Sequence, residues 1–465
     1  MDKKFISLFG VLFLVAGCYA QSNAPTIFTI DDFLQQVKKY HPLAKQADIQ
    51  VDKALAELMA AKGAFDPALD LDASRKTLDG KNYYYYTNPE LIAPLPVGNL
   101  KTGIENNGGS NLSSEITKGK SSYIGLEIPL AKGLMIDKRR AVLQQAKILR
   151  SQSEQERLLM FNNLLFDASL AYWQWAASQQ QYMAYSKFVA IASKRMRLVR
   201  IAFANGDRAM ADTIEAYTQI QNYQLLQEDA LLKLNNAKME LANYLWLENY
   251  TAFQLPDNYV SDRLSFANTS NFKNVEDLLA QSATQNPALQ MYDYKLKGLE
   301  VERRLKAQSL LPYFTAKANL LSKDYYAPKN FGTNYLENNY KWGIDIRFSL
   351  YLREARGDYK KAQLKIKETN LELLNKRQQT ENKIRSYYNE FYALAKQLQI
   401  SSNMYVNYQA LLHTEELKFE QGESSLFLVN SRETKVIEIL QKQIDLALKC
   451  YKAKYAMEWA AGILK

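Results

Sequence analysis

The sequence predicts a mainly α-helical chain carrying membrane-type β-strands, built as a duplicated helix–strand–strand–long-helix–helix unit. Three observations lead there: two very long runs without glycine or proline, short segments of strict apolar–polar alternation between helices, and paired motifs recurring in one order. The runs are Leu134–Asn205 and Asp358–Gln421, each followed after one glycine by a second run, Asp207–Leu255 and Glu423–Ala461. A helix rises about 1.5 Å per residue, so the first run reaches roughly 100 Å, far wider than a compact core. The chain bridges a distance, and does so twice.

The extreme N-terminus reads as a secretory signal. Lys3 and Lys4 precede the apolar Phe5–Ala16, which is too short to span a bilayer convincingly. Two processing readings stand side by side. Val15-Ala16-Gly17-Cys18 resembles a bacterial lipobox, which would leave Cys18 lipidated and remove residues 1–17; small Ala20 before Gln21 suits ordinary cleavage after residue 20. No later segment has 18 consecutive apolar residues, so the exported chain is either soluble or held in a membrane by strands.

The duplication is carried by ordered matches. His41-Pro42-Leu43-Ala44 matches Asn286-Pro287-Ala288-Leu289, and Phe65-Asp66-Pro67 matches Leu310-Leu311-Pro312, both offset by 245. Gly125-Leu126-Glu127-Ile128 matches Gly343-Ile344-Asp345-Ile346 at an offset of 218, and Phe203-Ala204-Asn205-Gly206 matches Phe419-Glu420-Gln421-Gly422 at 216. The offset changes across Asp79–Ser114, a stretch rich in Tyr, Asn, Pro and Gly that reads as a long loop. The expected division is a first unit over 22–247, a linker over 248–273 and a second unit over 274–465.

Between the helices, Pro67–Ser74, Ser122–Leu130, Tyr313–Leu321 and Tyr340–Leu350 alternate with period two. Trp342, Ile344, Ile346 and Phe348 share one face of the last segment; Gly343, Asp345, Arg347 and Ser349 share the other. An amphipathic sheet on a soluble core fits this pattern, and so does a membrane barrel with an apolar exterior and a polar lumen. The signal peptide favours the barrel. Tyr83–Tyr86 and Tyr325–Tyr326 lie beyond strand ends, where an interfacial aromatic belt belongs. Glu127, Lys317, Asp345 and Arg347 then face the lumen. Four strands cannot close a membrane barrel, whose minimum is about eight, so the chain must oligomerise.

The long runs carry apolar stripes at spacings of three and four, such as Ile384, Tyr388, Phe391, Ala395 and Leu398, or Leu158, Phe161, Leu165, Ala168 and Tyr172. These are coiled-coil-like seams. A soluble periplasmic coiled-coil adaptor or scaffold would explain the helices but not the strands.

Composition removes other classes. With 47% hydrophobic residues the chain is not disordered. Its net charge of +10 is spread along helices without a basic aromatic stripe, which argues against nucleic acid. Two cysteines make no disulfide framework, and Cys450 in its helical run reads as a small buried residue. His41 and His413 are the only histidines and form no metal-like cluster; His41-Pro42 reads as a turn at a helix start. No phosphate-binding loop is present, so no enzyme, cofactor or metal is expected and energy must come from a partner.

The signal peptide, the duplicated element order and the paired Phe-x-x-Gly turns together resemble the TolC family of outer-membrane efflux proteins, over about residues 22–465. The resemblance implies a homotrimer: a twelve-stranded barrel in outer-membrane lipid above a periplasmic twelve-helix tube. It implies an exit duct for a tripartite efflux or type I secretion system, docked to a periplasmic adaptor and an inner-membrane pump of the RND or ABC kind. The turns at Gly206 and Gly422 would be the periplasmic tips and gate. Asp212 and Glu215 lie six and nine residues past Gly206 on one helical face; the same steps from Gly422 reach Leu428 and Ser431, so the second half lacks the matching acids. Arg208 and Glu423 are expected to pair across the tip. The competing reading makes all of these solvated surface charges.

Overall fold

A computed structural model of the chain describes residues 26–262, 264, 274–323, 335 and 337–464. Cys18, the signal segment, Tyr325–Tyr326 and part of the expected linker lie outside them. The first half runs β1 (Thr26–Phe28), α1 (Ile30–Tyr40), α2 (Pro42–Gly63), β2 (Ala68–Leu78), β3 (Lys81–Pro94), β4 (Asn99–Gly108), β5 (Gly119–Pro129), α3 (Lys138–Ala204) and α4 (Met210–Ala242). The second runs β6 (Tyr259–Ser261), α5 (Val275–Gln285), α6 (Pro287–Gln308), β7 (Tyr313–Lys323), β8 (Tyr340–Arg347), α7 (Arg353–Glu420) and α8 (Leu426–Ala461).

The glycine-free runs become helices α3 and α7 of 67 and 68 residues. Asp137 starts α3 by accepting from the Arg140 N–H at 2.8 Å. The Pro motifs open α2 and α6 in the same way: His41 Nδ1 accepts from the Leu43 N–H, and Asn286 Oδ1 from the Ala288 N–H. Proline follows at the first helical position, where its missing donor costs nothing. The seams are buried, with Ile384, Phe391, Leu398, Leu165, Ala168 and Tyr172 all inside.

The largest core lies where α1, α3, α4, α7 and α8 meet. Phe33, Tyr172, Trp173, Trp175, Leu241 and Leu398 fill it. The Tyr172 hydroxyl donates to the Phe28 carbonyl at 2.7 Å and accepts from the Asp262 N–H at 3.0 Å. It thereby ties β1 and β6, a parallel pair, to the middle of α3. Cys450 sits in this core, and burial pushes its thiol up to about 11.

One expectation is overturned. Among the described residues the main sheet has six strands, in the order β2-β3-β4-β5-β7-β8, and every pairing is antiparallel. The stretch read as a loop, Asp79–Ser114, contains the hairpin β3–β4. Its Pro and Asn residues disguised it. Pro89 cannot donate to a neighbouring strand, and the β3–β4 ladder lapses beside it, resuming on either side at Thr87↔Asn106 and Glu90↔Gly103. The Asn88 side chain fills the gap, accepting from the Asn106 N–H at 3.2 Å.

Candidate functional site

Register settles which side chains share a face of the sheet. On one face Leu69 pairs with Leu91, Leu100 with Leu126, Leu126 with Ala318, and Ala318 with Trp342. This face is uncovered: Trp342 is 67% and Ile346 69% exposed. From β3 to β8 the opposite face carries charge in alternating sign from strand to strand, whereas Asp70 of β2 faces Glu90 as a like charge. Glu90 of β3 lies 3.9 Å from Lys101 of β4, and Lys101 lies 3.2 Å from Glu127 of β5. Glu127 is the register partner of Lys317 in β7, which binds Asp345 of β8 at 2.9 Å. Arg347 lies over the Tyr313 ring. Of the residues expected in the lumen, Glu127, Lys317 and Asp345 are thus joined in one row. Glu90 and Lys101, hidden in the supposed loop, complete it.

At the far ends of the long helices the two turns are built alike. Gly206 and Gly422 adopt φ of +83° and +77°. The Gly206 N–H donates to the Phe203 carbonyl and the Asp207 N–H to the Ala202 carbonyl; Gly422 and Glu423 donate likewise to Phe419 and Lys418. This pairing satisfies the last carbonyls of a helix and requires a left-handed residue, which glycine adopts without strain.

Arg208 and Glu423 do not pair within the chain. Arg208 instead places its guanidinium 4.3 Å from the Phe419 ring centre and donates to the Phe419 carbonyl at 3.4 Å. A cation at the C-terminus of α7 meets the negative end of the helix dipole and an aromatic face together, which an exposed carboxylate does not offer. Glu423 is exposed, and Asp212 sits half-buried in the first turn of α4. Glu215 turns toward α8, where its carboxylate accepts from Asn430 Nδ2 at 3.1 Å.

That contact leads to the cluster the sequence did not single out. Arg195 of α3 makes a two-pronged bond to Glu433 of α8, at 2.8 and 2.9 Å. The Tyr223 hydroxyl of α4 donates to Glu433 at 2.8 Å, Arg195 also donates to Asn430, and Glu416 of α7 stands 3.5 Å from Arg195. Glu433 is 1% exposed. Burial opposes the Arg195 charge, but Glu433 outweighs it and holds the guanidinium above its ordinary pKa. Burial raises the Glu416 carboxyl; Arg195 opposes that shift and the negative Glu433 adds to it. All four helices of the tip are therefore tied through one half-buried cation and the buried Glu433. Arg195 precedes Gly206 and Glu433 follows Gly422 by the same eleven residues, or about 16 Å of helix. That shared distance from paired turns was the signal in the sequence. Around this cluster the tip exposes apolar side chains, among them Ile201, Met210, Ile214, Phe427 and Leu428.

Among the described residues no helix is long and apolar enough to cross a membrane, and no group of three or more His, Cys, Asp or Glu is placed to hold a metal.

The family model described as outer membrane efflux protein matches residues 33–245, from α1 to just beyond the end of α4. Residues 33–245 are thus similar to an outer membrane efflux protein domain. Solved efflux-channel structures extend the likeness to nearly all of the chain. The open state of the MtrE outer membrane channel of Neisseria gonorrhoeae superposes with a TM-score of 0.66 at 13% identity, covering 94% of this chain and 89% of that one. The CmeC outer membrane channel of Campylobacter jejuni gives 0.62 at 14% identity, covering 94% and 86%. CusC, described through its folding and transmembrane channel formation, gives 0.65 at 13% identity, covering 93% and 91%. No curated protein matches the sequence closely enough to add to this. The chain thus shares the fold of solved outer-membrane efflux channels over nearly its whole length.

Proposed function

We propose that three copies of this chain form the outer-membrane exit duct of a tripartite efflux or type I secretion assembly, joined at its helical tips to a periplasmic adaptor and through it to an inner-membrane pump. The observation that carries this reading is the continuity of the chain. A sheet with one exposed apolar face and one charged face runs directly into two helical hairpins of roughly 100 Å, whose ends are closed by the paired turns at Gly206 and Gly422. The apolar face suits lipid, the charged face suits a water-filled lumen, and the exposed apolar tip suits a protein partner. Units 22–247 and 274–465 would be two copies of one building block, joined by residues 248–273. Arg208, Asp212, Glu215 and Glu423 would act at the gate, with Glu127, Lys317, Asp345 and Arg347 lining the outer lumen.

A soluble adaptor leaves the apolar sheet face in water. Membrane fractionation with amine crosslinking, alongside restoration of drug export in a host lacking its own duct, tests the proposal. Outer-membrane trimers that restore export are expected. A monomer in the soluble periplasmic fraction would overturn it.

A further inference from the structure

We infer that the α1–α2 joint is an acid-released latch on the end of α4, built where the second half of the chain has a latch that acid does not release. The inference goes beyond the exit-duct reading and does not depend on it, because both latches lie within one chain.

The two joints are the same device. His41 ends α1, its N–H donating to the Val37 carbonyl at 3.0 Å, and begins α2, its Nδ1 accepting from the Leu43 N–H at 3.1 Å. Asn286 ends α5 through the Ser282 carbonyl at 3.1 Å and begins α6 by accepting from the Ala288 N–H at 3.0 Å. Pro42 and Pro287 come next and bring no N–H, so Leu43 and Ala288 carry the first donors of α2 and α6. Each capping side chain also holds the end of a returning helix. Asn286 Nδ2 donates to the Ala460 carbonyl in the last turn of α8, at 3.0 Å. The His41 ring bonds the backbone of Asn243, the residue that closes α4. Asn243 and Ala460 are 217 residues apart, in step with the offsets of 216 and 218 between the paired motifs.

What differs is the chemistry of the side chain. The Asn286 amide has an oxygen that accepts and a nitrogen that donates at any pH. A neutral imidazole imitates it, with Nδ1 as acceptor and the proton on Nε2. A second proton turns Nδ1 into a donor facing the Leu43 N–H. The cap is then lost, and a charge is left with little water around it. His41 is 7% exposed, with its ring stacked on Tyr244 at 5.8 Å and edge-on to Trp246 at 6.2 Å.

The elements around the joint do not compensate that charge. They carry Lys39 on α1, Lys45 on α2, Asp167 on α3, Glu240 on α4 and Glu248 just beyond it. Asp167 and Glu240 act on the Tyr244 hydroxyl and Glu248 on Lys39, but among the described residues no charged side chain acts on the imidazole. Burial lowers the ring's pKa from its ordinary 6.5, and the bond to Asn243 opposes that only in part. The folded ring thus stays neutral where the unfolded one is already charged. The latch holds fully above the unfolded value and lets go as pH falls through the folded one. Acid then loosens the hold on α4 while α8 keeps its own, so two hairpins matched at their tips respond differently at their other ends.

Histidine-selective isotope labelling tests this on the full-length protein in detergent, since His41 and His413 are the only histidines. His413→Gln assigns the two signals. His41 should titrate below 6.5; a midpoint at or above that value would overturn the inference. A second measurement follows amide exchange, normalised at each pH to the unfolded chain. In wild type, protection of the Leu43 amide should fall on acidification through the His41 midpoint. In His41→Asn, which copies the second joint, it should stay constant over that range, as should protection of Ala288 in both proteins. Equal loss at Leu43 in the two proteins, or loss at Ala288 in step with it, would overturn the inference too. If His41→Asn does not fold, the wild-type titration and the comparison of Leu43 with Ala288 still decide. None of these outcomes bears on membrane location, so the exit-duct reading stands or falls separately.

Discussion

Arg195 shows what a single half-buried cation does to four long helices. A guanidinium with two parallel bonds to Glu433 fixes α3 against α8 in both distance and rotation, and Tyr223 and Glu416 bring in α4 and α7. Removing one partner of such a pair strands the other in a dry site. Arg195→Ala should therefore destabilise the chain by about 3–5 kcal/mol, whereas Arg195→Met with Glu433→Leu should recover most of that loss. Urea unfolding of purified protein compares the two. A pH effect belongs to the same cluster. Glu416 has a raised pKa in the fold, so the folded chain holds a proton that the unfolded chain releases. Stability should then fall as pH rises from the ordinary glutamate range through the raised value, and grow as the pH is lowered across that window. Wild type should show this slope and Glu416→Gln should lack it in the same unfolding assay. Of this, only the equal eleven-residue spacing of Arg195 and Glu433 from the paired turns was legible beforehand. The chain has 59 Lys and Arg residues against 49 Asp and Glu, and sequence spacing cannot say which of them a neighbouring helix will bury. Gly206 and Gly422, by contrast, were legible because glycine marks a backbone need rather than a partner.

The turns, strands and helices are where sequence and structure can be compared element by element. The long helices were readable because nothing in Leu134–Asn205 or Asp358–Gln421 interrupts them, and the observed ends fall within a few residues of the expected ones at the tips. The four strands with clean alternation were readable for the same reason. β3 and β4 were not, because Pro89, Pro94 and the asparagines signal turns locally while the neighbouring strands supply the missing bonds. That is tertiary structure overriding local chemistry. The tip turns give a prediction at this scale. A Cβ at Gly206 or Gly422 meets nothing within 4 Å, so substitution there is strained only through the positive φ. Gly422→Val should cost about 1–2 kcal/mol at that turn, and Gly422→Asn clearly less, since asparagine tolerates the left-handed region. Hydrogen exchange at the Gly422 turn, read peptide by peptide, should show faster opening for valine than for asparagine. Equal protection in both would mean the turn is held by its neighbours rather than by its own backbone.

At the scale of the whole molecule, one sheet carries two unlike faces. The apolar face carries Leu69, Leu91, Leu126, Trp342 and Ile346 outward, and the row from Glu90 to Asp345 faces the other way. Adjacent residues of β8 therefore meet opposite environments, and this gives the sharpest test of how the molecule sits. Ile346 and Arg347 are neighbours in sequence, equally close to the helices and on opposite faces. If the apolar face meets lipid, Ile346→Arg places a charge in hydrocarbon at a cost of up to about 2–4 kcal/mol, less if the residue lies near the interface. Arg347→Ser removes a charge from the wet side, where Arg347 lies over Tyr313 and its loss is absorbed by water. The expected outcome is poor membrane assembly for Ile346→Arg and normal assembly for Arg347→Ser, read as the fraction of heat-resistant oligomer in the outer-membrane fraction. A soluble sheet would tolerate both changes, and a barrel turned inside out would reverse their order. Because the two positions share strand, depth and flanking sequence, a charge tolerated at 347 and rejected at 346 points to the face each side chain occupies.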